Sequence, residues 1–189
     1  MIKINLKKLF SLIDYIYTHP ANKNRFFSTT LKLLYWQFYL KNIRKSFTIP
    51  FINNLKINSF RGNHCVSGTY YVGLYDFEKM SFLLHYLRPD DIFCDVGANI
   101  GLFTMLASGI NNCKSICFEP NPTTFSKLKD NININRLDKK VRLFCKGVGA
   151  KSEYVNFTKD LDTTAHVATE DMDSKHSVKT ELISLEKFF

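Results

Sequence analysis

The sequence predicts an α/β fold: a Rossmann-like parallel sheet preceded by an N-terminal helical extension. Three observations predict it. From residue 92, short apolar runs alternate with helical periods in the order β-α-β-α-β, the mononucleotide-binding half of a doubly wound sheet. The first of these strands runs straight into a glycine-bearing turn, Gly97 to Gly101. The second ends in an acid, Glu119, 22 residues after Gly97.

The elements follow in order. Ile2, Leu6, Leu9, Phe10, Ile13, Ile16 and Tyr17 recur at three- and four-residue steps, with Lys3 and Lys7 on other faces and Pro20 beyond the end, so an amphipathic helix opens the chain. A second helix is expected from a cap at Thr29 or Thr30, with Leu31, Leu34, Tyr35 and Phe38 as its apolar stripe and Lys41, Arg44 and Lys45 at its end. Residues 50–75, punctuated by Pro50, Asn53, Asn54, Gly62, Gly68 and Gly73, read as strands and turns. A helix fits Asp76 to Leu87 and stops before Pro89. The strands Ile92 to Val96, Ser115 to Phe118 and Val141 to Cys145 enclose helices from Leu102 to Ser108 and from Pro122 to Asn135. Tyr154 to Phe157 and Val178 to Leu185 are two further strands, joined by a loop rich in Thr, Asp, Ser and His. This divides the chain into a basic helical extension (1–49), a strand-and-turn lead-in (50–75) and a Rossmann-like domain (76–189).

Composition bounds the class. Of 189 residues, 45% are apolar and 23% charged, which fits a soluble globular chain. The net charge of +9 is unevenly placed. Residues 1–60 hold ten Lys or Arg against one acid, Asp14, while the 16 basic and 16 acidic residues beyond them cancel. The excess suits an anionic surface: phospholipid headgroups, a polyanionic glycan or nucleic acid, the last disfavoured. A basic cap packed on the domain, its charged face solvated, is the favoured explanation. Cys65, Cys94, Cys113, Cys117 and Cys145 form no C-x-x-C pair and are expected as free thiols, Cys94 and Cys117 buried in strands. No metal site is expected. Nothing reads as a signal peptide and no apolar run reaches 18 residues, so a cytoplasmic location is expected, with membrane association open through the basic segment.

Chemistry concentrates in Asp95-Val96-Gly97-Ala98-Asn99-Ile100-Gly101. Gly97 admits a tight turn and close approach of a ligand. Gly101 lets the following helix begin close to the sheet, its first-turn N–H groups aimed at whatever binds there. Asp95 places a carboxylate where an ammonium group can meet it. Glu119 offers two acceptor oxygens to the neighbouring hydroxyls of a ribose. A dinucleotide site favours a second glycine two residues after the first, to admit a pyrophosphate; Asn99 occupies that place. A nucleoside with an amino-acid tail and no phosphate fits the two acids better, and an NAD-linked oxidoreductase fits less well.

The run D-V-G-A-N-I-G (Asp95 to Gly101) followed by F-E-P-N-P (Phe118 to Pro122) resembles the FkbM-type methyltransferases, which depend on S-adenosylmethionine (SAM) and share the class I methyltransferase fold. Leu87-Arg88-Pro89-Asp90-Asp91-Ile92-Phe93 and Leu128-x-x-Asn131-x-x-x-Asn135 support it. The resemblance covers about residues 70–189, and more loosely the upstream Trp36-Gln37 and Pro50 region. It implies that Asp95, Gly97, Ala98, Asn99 and Gly101 line the methionine end of SAM, that Glu119 holds the ribose and that Asn121 lies near the adenosine. It further implies O-methylation of a hydroxyl on a small-molecule or glycan acceptor: a sugar, glycolipid or secondary metabolite. His166, after Thr163 and Thr164, is a candidate base weighed against a solvated loop histidine; Asp160 and Asp162 read as loop carboxylates. No catalytic residue is assigned.

In that family another strand, ending in Asp-Val-Glu-Gly, follows soon after the place where Leu185 to Phe189 closes this chain. About 60–90 residues of strand–helix units are therefore expected to be missing. A fragment with little activity follows, with Ile92 to Val96 left as an exposed apolar edge. The alternative in another class is a non-catalytic module docking through its basic helices on a membrane or a glycan-assembly partner.

Overall fold

A computed structural model describes residues 6–23, 25–38, 47–59, 64–158 and 177–187. Helices α1 (Leu6–Thr18) and α2 (Phe26–Phe38) flank a short 3-10 turn at Pro20–Asn22. The hairpin β1 (Phe47–Pro50) and β2 (Lys56–Ser59) leads to α3 (His64–Val72) and α4 (Phe77–Tyr86). The alternating region is β3 (Ile92–Val96), α5 (Leu102–Gly109), β4 (Lys114–Phe118), α6 (Pro122–Ile134) and β5 (Val141–Phe144). Strands β6 (Gly147–Val148), β7 (Glu153–Thr158) and β8 (Ser177–Ile183) follow.

The central sheet has the order β3-β4-β5, all parallel, with Val96 opposite Phe118 and Phe118 opposite Phe144. This is the predicted α/β arrangement, and the predicted strand and helix bounds from residue 76 onward match to within two residues. Strand β3 lies at the edge, so Ile92 and Val96 are 62% and 52% exposed. Edge placement also corrects the expectation for Cys94: its thiol is only half-buried, whereas Cys117 in the central strand is sealed. The second sheet has the order β6-β8-β7, with β7 and β8 antiparallel over their whole length. It is tied to the end of β4 by the Thr180 hydroxyl, which donates to the Pro120 carbonyl at 3.2 Å.

One apolar core joins the extension to the sheet: Ile16 from α1, Trp36 from α2, Ile57 from β2, Met80 from α4, Met105 from α5 and Leu128 from α6 belong to a single cluster. Three expectations upstream of residue 76 are corrected. Helix α2 begins at Phe26, not at a Thr29 or Thr30 cap; Thr29 is buried inside it, its hydroxyl donating to Asn22 Oδ1. Its buried face is Thr29, Leu33 and Trp36, and the predicted stripe of Leu31, Leu34, Tyr35 and Phe38 faces outward. A helix apolar on both sides leaves periodicity unable to choose between them. Residues 50–75 are not all strand and turn. Asn53 (φ 47°) and Asn54 (φ 66°) do make the tight hairpin turn, but residues 64–72 are helical. Gly68 sits inside that helix because a Cβ there would stand 3.3 Å from Tyr75 Cβ: it marks a close approach, not a turn.

Asn131 on α6 and Asn135 at its C-terminal cap secure the hairpin. Asn131 Oδ1 accepts the Asn58 N–H (2.8 Å) while its Nδ2 donates to the Ile100 carbonyl (2.8 Å). Asn135 accepts the Lys56 N–H (2.8 Å) and donates to the Lys56 carbonyl (2.7 Å).

Candidate functional site

The site forms where β3 and β4 end side by side. The N–H groups of Gly97 and Ala98 both donate to the Phe118 carbonyl, at 2.9 and 3.0 Å, folding the turn over the tip of β4. Gly97 (φ +76°) and Gly101 (φ +87°) take left-handed backbone, where an L side chain is strained, and Asn99 (φ 50°) joins them. The two glycines differ in what surrounds them. A Cβ on Gly97 would meet nothing within 4 Å, so the backbone there opens toward the cavity. A Cβ on Gly101 would lie 2.5 Å from Leu128 Cδ1, so this residue lets the turn press against α6. Gly101 caps α5 without a side-chain bond, and in the first turn of that helix the Thr104 N–H is taken by Asp95.

The two predicted acids are brought to the same face. Asp95 is opposite Cys117 in register, and Glu119 is two residues further along. Asp95 points toward α5, where the Thr104 hydroxyl donates to its Oδ2 at 2.5 Å. Burial raises its pKa above the usual carboxylate range, and the bonds from Thr104 oppose that. Glu119 is buried: Oε2 accepts the Asn99 N–H at 2.8 Å and Oε1 the Asn121 N–H at 2.9 Å. These charge-assisted bonds tie the glycine turn to the loop entering α6.

A cavity of about 190 Å³ opens beside Asp95, lined also by Gly97, Ala98, Asn99, Ile100, Leu102, Phe103, Cys65 and Tyr75. Four predicted residues thus share one cavity. Gly101 lies behind it, and Glu119 and Asn121 are not in its lining, although Glu119 holds the amide of Asn99. Asn121 Oδ1 caps α6, accepting from the Thr123 and Thr124 N–H groups at 2.9 and 3.3 Å. The sequence reading missed that duty, though Asn before Pro at a helix start is its signal. It also missed Cys65 and Tyr75, which reach the cavity from 20 to 30 residues upstream of Asp95; the glycines at 68 and 73 around them were the available hint. The Tyr75 carbonyl is held by the Tyr15 hydroxyl at 2.7 Å, so α1 helps to place this wall. His166, Asp160 and Asp162 lie outside the described residues.

No family model matches the chain. Over 92 residues, 46% of its length, it is 28% identical to a tRNA (guanine(37)-N(1))-methyltransferase of Dictyostelium discoideum. Over that stretch the chain is similar to a methyltransferase. It spans about a fifth of the length of that relative (20%). Among solved structures, TYW2 of P. horikoshii in complex with MeSAdo aligns at 16% identity and a TM-score of 0.41, over 54% of this chain and 36% of that one. A SAM-dependent methyltransferase from Agrobacterium tumefaciens aligns at 11% identity and a TM-score of 0.43, over 55% and 33%. The expectation that disfavoured nucleic acid as a partner class is corrected: the curated relative is by name an enzyme of tRNA.

Proposed function

We propose that the protein is a SAM-dependent methyltransferase of the FkbM type, transferring a methyl group to a hydroxyl oxygen of a small-molecule or glycan acceptor. The observation that carries the reading is the clamp at the strand tips: Glu119 binds the amide of Asn99 in the same turn whose other residues line the cavity beside Asp95. The motif resemblance of Asp95 to Gly101 and Phe118 to Pro122 supports it, and the curated relative supports methyl transfer alone.

The cavity lining suits the methionine end of SAM, and Glu119 and Asn121 stand outside that lining. The cavity is smaller than the roughly 300–1,000 Å³ of a whole drug-sized site, so it takes one end of the molecule, the methionine end. Asp95 would meet the ammonium, and the Leu102 and Phe103 amides at the start of α5 the carboxylate. Glu119 would accept from the ribose hydroxyls, with Asn121 alongside the adenosine. Among the described residues the lining has no Lys or Arg, which suits a ligand lacking phosphate. When bound, SAM supplies an activated sulfonium methyl. The chain's own part is to hold the donor, exclude water from it and present the acceptor in line. A second reading of the acceptor, an RNA base, is favoured by the identity to the tRNA enzyme over 92 residues.

Titration calorimetry with SAM and its demethylated product tests the site. Asp95→Asn and Glu119→Gln should each weaken binding about 10- to 100-fold, the loss of one hydrogen bond to a charged group. Unchanged affinity in both variants would refute it.

A further inference from the structure

Helix α2 is apolar on two opposite sides. One side, Thr29, Leu33 and Trp36, is buried in the core. The other presents Phe27 (81% exposed), Leu31 (68%), Leu34 (47%) and, continuing the row, Phe38 (78%). Their spacing of four, three and four residues keeps them on one stripe of the surface. A contiguous apolar stripe of this kind on a surface helix marks an interaction site. We propose that this outward face of α2 docks on an anionic phospholipid bilayer, its Phe and Leu side chains entering the headgroup–acyl boundary while exposed Lys23 and Arg25, just before the helix, meet the headgroups.

Charge selects the occupant. Residues 1–60 carry a net +9, yet the stripe itself contains no Lys or Arg. Exposed Lys23 and Arg25 stand just before the helix, and Lys41, Arg44 and Lys45 follow it in sequence. Lys32, the one cation within α2, lies 5.9 Å from the Tyr70 ring and so leans away from the stripe. Nucleic acid is gripped by cations placed along its backbone, and this face offers them none. A second copy would bring two +9 segments together. A lipid surface satisfies both halves of the pattern, burying the apolar stripe and neutralising Lys23 and Arg25 beside its start. No helix among the described residues is long and apolar enough to cross a membrane, so the contact is with the surface. The proposal does not depend on the cofactor site.

The test is co-sedimentation of the full chain with vesicles of phosphatidylcholine alone or with about a third phosphatidylserine, at low and high salt. The wild type should bind the anionic vesicles, and salt should weaken binding. Phe27→Glu/Leu31→Glu should lower partitioning more than about tenfold, because two exposed apolar anchors are lost. Circular dichroism should be unchanged, since neither side chain belongs to the core. If that variant misfolds, Lys23→Gln/Arg25→Gln should cut binding to anionic vesicles by roughly an order of magnitude and leave binding to neutral ones alone. Wild-type protein staying in the supernatant overturns the proposal, as does full binding by a folded Phe27→Glu/Leu31→Glu variant. So does a dimer, or tRNA binding, that the same variant abolishes, because the stripe then belongs to that partner.

Discussion

Gly101→Ala measures how tightly the glycine turn is seated. At φ +87° an alanine pays for left-handed backbone with about 1–2 kcal/mol. Its Cβ would also stand 2.5 Å from Leu128 Cδ1, against an ordinary approach of about 3.5–4 Å. Leu128 is fully buried, so its methyl has little room to retreat, and overpacking adds about 1–3 kcal/mol. The expected loss is about 2–5 kcal/mol, or a fall in Tm of roughly 5–20 °C for a chain of this size. Gly97→Ala is the control. Its φ of +76° carries a similar backbone cost, but its Cβ meets nothing within 4 Å, so only about 1–2 kcal/mol is expected. Leu128→Ala in the Gly101→Ala background should remove the clash. The double variant should be more stable than the sum of the single losses by about 1–3 kcal/mol in urea unfolding. Additivity within about 0.5 kcal/mol, or equal losses at the two glycines, would refute the packing argument.

Asn121→Ala should destabilise the chain by about 0.5–2 kcal/mol through loss of the α6 cap, and Asn121→Asp should restore most of it in the same urea titration. Asp95→Asn tests the cost of the buried carboxylate. Because the folded-state pKa is raised, the native protein binds more protons than the unfolded chain over the window above about 3.9, so wild-type stability falls as pH rises through it. The variant should match the wild type below that pH and exceed it at neutrality; unfolding curves with a constant difference would argue against the shift. In thiol labelling of the native protein near about pH 8, exposed Cys145 should react first. Cys117 should react last, its thiol sealed in β4 and its pKa pushed up to about 12, chiefly by burial; removal of Cys145 should abolish the fast phase.

The region from Asp76 onward was legible because period and punctuation agree there. Ile92 to Val96 is short and apolar, Gly97 breaks it, and Pro122 opens a helix with a stripe of Phe125, Leu128 and Ile132. Asp95 and the turn residues were legible because a strand that must reverse into a helix leaves few places for its last carboxylate. The extension was less so. In α2 every candidate stripe is apolar, and which one is inward depends on Ile16, Tyr70 and Tyr71, far away in sequence. Cys65 and Tyr75 joined the cavity through packing of α3 against the following turn, at which Gly68 and Gly73 only hinted. The family-like Asn131 and Asn135 were visible as a pattern, but their partners on β2, more than 70 residues earlier, were not.

Those two asparagines have a consequence for assembly. Strand β2 has β1 on one side; on the other, side-chain amides from a helix take up the main-chain N–H and C=O of Lys56 and the N–H of Asn58. Helix α6 therefore stands in for a neighbouring strand, and the hairpin cannot be extended on that side by a foreign chain. Because Asn131 also holds the Ile100 carbonyl, a tug on the hairpin is transmitted through a single amide group to the loop between β3 and α5.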